Sequence, residues 1–199
     1  MEIKDRRVAQ GEATRSALVG AARELFGGQG YGATSTEEIV ALAGVTKGAL
    51  YHHFSDKEDL FRAVFEQLQR ETSDQVVQEF LQPDPWEALV AGCRLWVDAH
   101  LDPAVRQIAL IDARAVLGWD AARSIETRFS TVALRGALRK AMHAGVLVRQ
   151  PLRPLALMLT GALGEACQYL AEAQDTEAAR REVGCLIVSL LSGMRVVHA

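Results

Sequence analysis

Cysteine is scarce in this chain. Cys93, Cys167 and Cys185 stand far apart, with no CxxC and no Cys/His spacing. That spacing suggests no metal site, and the thiols read as small buried hydrophobes rather than as a redox switch. No metal and no cofactor is expected. Long apolar runs are missing too: the longest, Leu155–Leu163, is too short to span a bilayer, and Thr160 and Gly161 interrupt it. The opening MEIKDRRVAQGE is charged and lacks the apolar stretch of a signal peptide, so the expected location is the cytoplasm. Strand-type alternation is nearly absent. GxSxG, HExxH and GxGxxG do not occur, which weakens any enzyme reading. A set such as His100, Asp112 and Cys93 arises in any chain of this size. Finally, no excess of positive charge exists. The net charge is −3, and residues 1–57 carry seven Lys/Arg against seven Asp/Glu. A case for nucleic acid must therefore rest on where residues sit.

What remains is helical and core-forming. Hydrophobic residues make up 49% of the 199 and charged residues 24%, enough to bury a substantial core. Apolar stripes of period 3.6 recur along the whole chain and predict an all-α fold of about nine helices. The first is expected over Thr14–Gln29, with Ala17, Leu18, Ala21, Ala22, Leu25 and Phe26 on one face and Gly30 closing it. Ser35 with Glu38 forms a capping box for the second, which ends near Leu42. Thr46 caps the third, which ends near Phe54. Ser55 with Glu58 forms a second capping box, and the fourth helix continues to about Phe80. The prolines of Gln82-Pro83-Asp84-Pro85 make the clearest break. Further helices are expected over Trp86–His100, from Pro103 to Gly118, from Asp120 to Gly145, from Pro151 to about Ala173, and over Thr176–Arg195.

The second and third helices, joined by Ala43-Gly44-Val45, have the form of a helix-turn-helix. Ile39, Leu42, Ala43, Val45, Leu50 and Phe54 supply an inner apolar set. The outer face then presents Thr46, Lys47, Gly48, Ala49, Tyr51, His52 and His53: donors, one fixed cation and small residues, suited to a major groove. The stretch GYGATSTEEIVALAGVTKGALYHHFSDKEDLFRAV, residues 30–64, resembles the N-terminal signature of the TetR/AcrR family of transcriptional regulators. The resemblance implies DNA contacts from Ser35, Thr36, Thr46, Lys47, Gly48, Ala49, Tyr51 and His52, with Lys57 as a phosphate-binding lysine. Ala49 stands where many relatives carry Thr or Ser. Arg6 and Arg7 offer a minor-groove arm, or a basic tail.

The last two helices are apolar nearly all round, which calls for burial on every side. A homodimer joined by a four-helix bundle, two helices from each subunit, meets that need and is also what the resemblance implies. The alternative is a larger monomeric core with both helices central, for which a chain this short has few helices left to wrap them. Gly161, Ala162, Cys185, Leu186, Ser189 and Leu190 are the expected seam. Polar residues on apolar stripes, such as Asp112 in the row Val105, Ile108, Asp112 and Val116, mark an expected small-molecule cavity lined by Trp96, His100, Asp112, Trp119, Phe129, Glu165 and Tyr169. Two acids and one weak base there favour a cationic or hydroxylated ligand. The resulting expectation is a DNA-binding domain over 1–55 and a sensing and dimerisation domain over 56–199. Together they would form a repressor of a palindromic operator, released by a small-molecule inducer, with the fourth helix as lever. The alternatives are a helical adaptor or a small enzyme, neither of which would bind duplex DNA.

Overall fold

The structure, a computed structural model, describes residues 2–196 and the side chains from residue 8. Among these the fold is all-helical apart from one isolated bridge between Leu147 and Arg195. The helices are α1 (Glu2–Ala33), α2 (Thr36–Ala43), α3 (Lys47–His53), α4 (Lys57–Phe80), α5 (Pro85–Ala99), α6 (103–117), α7 (119–143), α8 (Leu152–Glu172) and α9 (Thr176–Ser192). α1 therefore begins twelve residues before Thr14, the expected start. The side chains of Arg6 and Arg7, proposed as a minor-groove arm, lie outside the described residues.

Most helix ends follow the local chemistry. Ser35 accepts from the Glu38 N–H while Glu38 accepts from Ser35, the expected capping box. Thr46 accepts from the Ala49 N–H, and Asp84 accepts from Trp86 and Glu87 with Pro85 at the first helical position. The second box shifts by one residue. Asp56, not Ser55, takes the Asp59 N–H at 2.7 Å, and Asp59, not Glu58, reaches back to the Ser55 N–H at 3.1 Å.

Two helices contain a π turn: α6 over Gln107–Asp112 and α7 over Thr127–Thr131. Ala113 donates to Ile108, five residues back, so the helix face advances by one residue. Instead of Val105, Ile108, Asp112 and Val116, the buried stripe is Ile108, Ala109, Ala113 and Leu117. Asp112 is thereby rotated off the expected hydrophobic row.

The chain forms two compact units, Met1–Leu68 with Pro103–Ala122, and Gln69–Asp102 with Arg123–Ala199. This differs from a cut at residue 55. The first unit takes in the start of α4 and all of α6, because α1 packs on both α2 and α6. Its core holds Leu18, Ala22, Phe26, Ile39, Leu50, Phe54, Phe61 and Phe65. Phe26, Tyr31 and Phe61 form a mutual ring cluster with centroids 5.3–5.5 Å apart. Leu42 was expected inside but is 48% exposed, since α2 ends immediately after it. Ala17 is exposed and Leu25 only half-buried, so the inward face of α1 is Leu18, Val19, Ala22 and Phe26. Gly30 (φ 81) turns the chain where helical geometry fails, and the next N–H, of Tyr31, donates to Asp112 Oδ2 at 2.9 Å.

The second unit is built on α5, which packs against α7, α8 and α9. Leu89, Cys93, Val97, Leu134, Leu138, Ala156, Leu163, Cys167, Val183 and Ile187 fill its core. Lys140 of α7 donates to the carbonyls of Phe80 and Gln82, a cation at the C-terminal end of α4.

Candidate nucleic-acid interface and effector site

α2 and α3 are short, and their register is fixed by two caps and a glycine turn. Gly44 (φ 65) takes the left-handed conformation that lets its N–H bond back to α2, and Val45 N–H bonds Val40. Ile39 and Leu50 are fully buried against the rest of the first unit. With those two residues inward, Thr46, Lys47, Gly48, Tyr51 and His52 are exposed together, and Ala49 is half-buried beside them. Nothing crowds Gly48, whose missing Cβ would meet only Thr46 Oγ1 at 3.9 Å. The expected reading residues thus share one surface. Ser35 and Thr36 are half-buried at the start of α2, and Ser35 Oγ is committed to its cap with Glu38.

The two lysines of this region behave differently from a pair of free phosphate contacts. Lys57 Nζ donates to the carbonyls of Tyr31 and Thr34, both at 2.9 Å, and stands 4.0 Å from the Tyr31 ring centroid. It fastens the end of α1 to the start of α4, a role that residue spacing did not show. Lys47 Nζ lies 2.5 Å from Glu37 Oε1. The hydrogen bond from Lys47 holds the Glu37 carboxyl far down, at about 2, and Lys47 is raised in turn, so the pair is fully charged at neutral pH. Glu37 was not among the expected site residues. The signal for it was the run Thr36-Glu37-Glu38, in which Glu38 is used by the capping box and Glu37 is left facing outward.

The expected effector residues divide between places. Asp112 and Trp119 belong to the first unit. Asp112 is the partner of the Tyr31 N–H, and Trp119 is 55% exposed with Arg114 at 4.7 Å from its ring. Glu165 and Tyr169 are exposed and line a groove of about 260 Å³ between α8 and α9, together with Leu186 and Leu190. Tyr169 donates to Glu182 at 2.8 Å, which raises its phenol pKa. Trp96, His100 and Phe129 lie in the second unit. Phe129 is half-buried between Arg70 and Arg128.

Around Trp96 the interior is polar. Trp96 Nε1 donates to Ser130 Oγ and Ser130 Oγ donates to Gln69 Oε1, each at 3.2 Å. Thr131 and Thr160 hydroxyls meet at 3.5 Å. His100 is 3% exposed, lies against Trp96 with ring centroids 4.3 Å apart and planes tilted by 40°, and donates from Nδ1 to the Trp96 carbonyl. Burial outweighs that hydrogen bond and lowers its pKa, so the imidazole is neutral. Burial likewise pushes the Cys93 thiol up to about 12. A small cavity of about 20 Å³ adjoins these groups, lined by Val76, Phe80, Cys93, Trp96, Ser130 and Thr160 among others. The Phe80 ring fills the space where Gly92 would carry a side chain, for a Cβ there would stand 2.1 Å from Phe80 Cε1. The π turn of α7 supplies Ser130 and Thr131; neither residue was among those expected.

The expected seam is exposed. Gly161, Ala162, Cys185, Leu186, Ser189 and Leu190 all face outward on α8 and α9, and Leu186, Leu190, Met158 and Tyr169 are large exposed apolar side chains. No candidate metal cluster occurs among the described residues, and no helix there is long and apolar enough to cross a membrane.

Known proteins agree with this architecture. Residues 18–64 match the family described as bacterial regulatory proteins, tetR family, and residues 86–194 match the tetracyclin repressor-like C-terminal domain. The Transposon Tn10 TetC protein of Escherichia coli is 29% identical over 147 residues, 74% of this chain and 75% of that protein. The regulator QacR of Staphylococcus aureus is 54% identical over 44 residues, which is 22% of this chain and 23% of QacR. A TetR-family regulator from Pectobacterium atrosepticum superposes with a TM-score of 0.82 at 32% identity, covering 96% of this chain and 98% of that one. RolR in complex with the ligand resorcinol superposes with a TM-score of 0.70 at 23% identity, covering 92% and 90%. With its reading helices, helical second unit and full-length relatives, the chain belongs to the TetR family of helix-turn-helix transcriptional regulators.

Proposed function

We propose that the protein is a cytoplasmic, homodimeric repressor that binds a palindromic operator through α2 and α3 and leaves it when an uncharged small molecule enters the interior of the second unit. The DNA-binding part comprises residues 1–55, extended by the first turns of α4 and by α6. Thr46, Lys47, Gly48, Ala49, Tyr51 and His52 face the bases and backbone. Dimerisation uses the row of exposed apolar residues on α8 and α9. Large apolar side chains side by side on a helix pair are the mark of an interface, and a two-fold partner would bury them in a bundle.

The observation that carries the sensing part is the polar chain Gln69–Ser130–Trp96 beside the cavity, buried at Gln69 and Ser130 and half-buried at Trp96. Every lining group is neutral: hydroxyls, an indole, a protonated thiol and, next to them, an uncharged imidazole. A charged ligand would lose its hydration there with no counter-charge. The cationic ligand that Asp112 and Glu165 would favour loses its support, because neither acid lines this space; the hydroxylated one keeps it. Resorcinol, the ligand of RolR, is of that uncharged class. The cavity is small, so an effector has to displace Phe80, the last residue of α4, whose first residue is Lys57. Ligand that prefers the displaced state shifts the population away from the DNA-binding one.

The test starts from duplexes selected by the full-length protein out of a random pool. Palindromic half-sites about one helical turn apart, roughly 34–36 Å, and a dimer in sedimentation at micromolar concentration are expected. A monomer, or asymmetric selected sites, would overturn the reading. For sensing, matched phenol, benzoate and benzylamine series are tested for release of the selected duplex. Release by the neutral series alone is expected, abolished in Trp96→Ala, and release by charged members instead would reject the neutral site.

A further inference from the structure

We propose that Glu37 and Lys47 act as one unit and read a single G·C base pair in each operator half-site, which rests on the operator-binding reading above. Three observations converge on them. The pair joins the second residue of the α2 region to the first residue of α3, so both reading helices contribute. Both side chains stay more than half exposed, at 63% and 54%. The second Glu37 oxygen accepts from Thr36 Oγ1 at 3.0 Å, so one carboxylate orients two of the expected DNA-contacting side chains.

Stability does not account for such a pair, because exposed ion pairs contribute little. Its position in the local charge pattern is more informative. Residues 34–59 carry five carboxylates against two lysines, and the other lysine, Lys57, is occupied by two carbonyls. Non-specific affinity for duplex DNA comes from cations that neutralise phosphates and release counterions. A lysine with a carboxylate against it gains little from a phosphate, since the phosphate is repelled by Glu37 as it is attracted by Lys47. The pair gains where an acceptor and a donor lie side by side.

The major-groove edge of a G·C pair has that arrangement. Guanine offers two adjacent acceptors, N7 and O6, and cytosine offers the N4 amino donor next to them. An ammonium with three donors is best served by two neighbouring acceptors, and a carboxylate accepts only. Lys47 donates to guanine and Glu37 accepts from cytosine, while their mutual contact persists. An A·T pair separates its acceptors by the adenine amino group and ends in a methyl, so the ammonium meets one acceptor at a time.

Base selection by the full-length wild-type protein and by E37Q, each at several salt concentrations, tests this. Wild type is expected to require G·C at one symmetric position per half-site. E37Q is expected to relax that position by about tenfold or more and leave the others unchanged. Its affinity for unrelated duplex should rise, with a salt slope steeper by about 0.9, as one lysine is freed for a phosphate. K47M should relax the same position without steepening the slope. Unchanged base preference in E37Q, or relaxation at an A·T position, overturns the proposal even if the slope steepens. Failure of wild type to select any duplex instead sinks operator binding itself.

Discussion

The reading surface of the first unit and the polar interior of the second are both made of hydrogen-bonding side chains, yet they are built by opposite means. At the reading surface, partners are close in sequence: Ser35 with Glu38, Thr46 with Ala49, Thr36 with Glu37, and Lys47 only ten residues from Glu37. The groups stay wet, and the backbone beneath them is held by caps and by Lys57. In the interior, Gln69, Trp96 and Ser130 come from three helices, 61 and 34 residues apart along their bonds, with Gln69 and Ser130 buried and Trp96 half-buried. Local order leaves a surface ready to exchange partners with DNA. Distant, buried order leaves polar groups that already satisfy one another, and in the proposed sensing role they would be surrendered only to a ligand that replaces them.

That contrast can be broken by mutation. The largest effect is expected from Leu190→Asp, which sets a charge into the α8–α9 face. If that face is a buried seam, the cost is several kcal/mol of assembly, and sedimentation should show monomer with operator binding lost. A dimer that persists removes this face from the scheme. Next, Lys57→Ala removes two charge-assisted bonds to carbonyls and should lower unfolding stability by about 1.5–3 kcal/mol. Lys47→Ala, at a solvated pair, should stay within about 0.5 kcal/mol in the same urea titration. Equal effects of the two would erase the distinction between a clamp and a reading residue. Ser35→Ala should cost about 1 kcal/mol through loss of the α2 cap, read as a shifted urea midpoint.

The smallest effect is one of pH. His100 has a lowered pKa when folded, so the folded protein binds fewer protons than the unfolded chain as the pH falls below about 6.5. Stability should therefore be full above that value and decline on acidification. His100→Gln should flatten the decline between pH 7 and pH 5 in thermal melts; an unaltered slope would mean that other groups dominate.

The same contrast explains what was legible in the sequence. The caps at Ser35, Thr46 and Asp84, the break at Pro83 and Pro85, and the inward pair Ile39 and Leu50 follow from neighbours within a few residues. The apolar row on α8 and α9 is legible as well, and in the single chain its Leu186 and Leu190 face outward. The effector residues were much harder to place. Asp112 and Val116 were assigned to a stripe that assumes 3.6 residues per turn throughout, and the π turn in α6 moves the stripe to Ala113 and Leu117. The second π turn hid Ser130 and Thr131 in the same way. The carbonyl partners of Lys57, Tyr31 and Thr34, are not legible in the sequence, because they lie across a turn that spacing cannot fold.

The three thiols carry a practical consequence. Cys93 and Cys167 are buried, and burial pushes both up to about 12, while Cys185 is exposed on α9. A maleimide fluorophore added at neutral pH therefore attaches at one site, without any engineered residue. That site lies beside Leu186, on the face proposed as the seam. Labelling should be fast on isolated subunits and slow on assembled ones, and the native chain becomes its own optical gauge of how tightly two copies hold together.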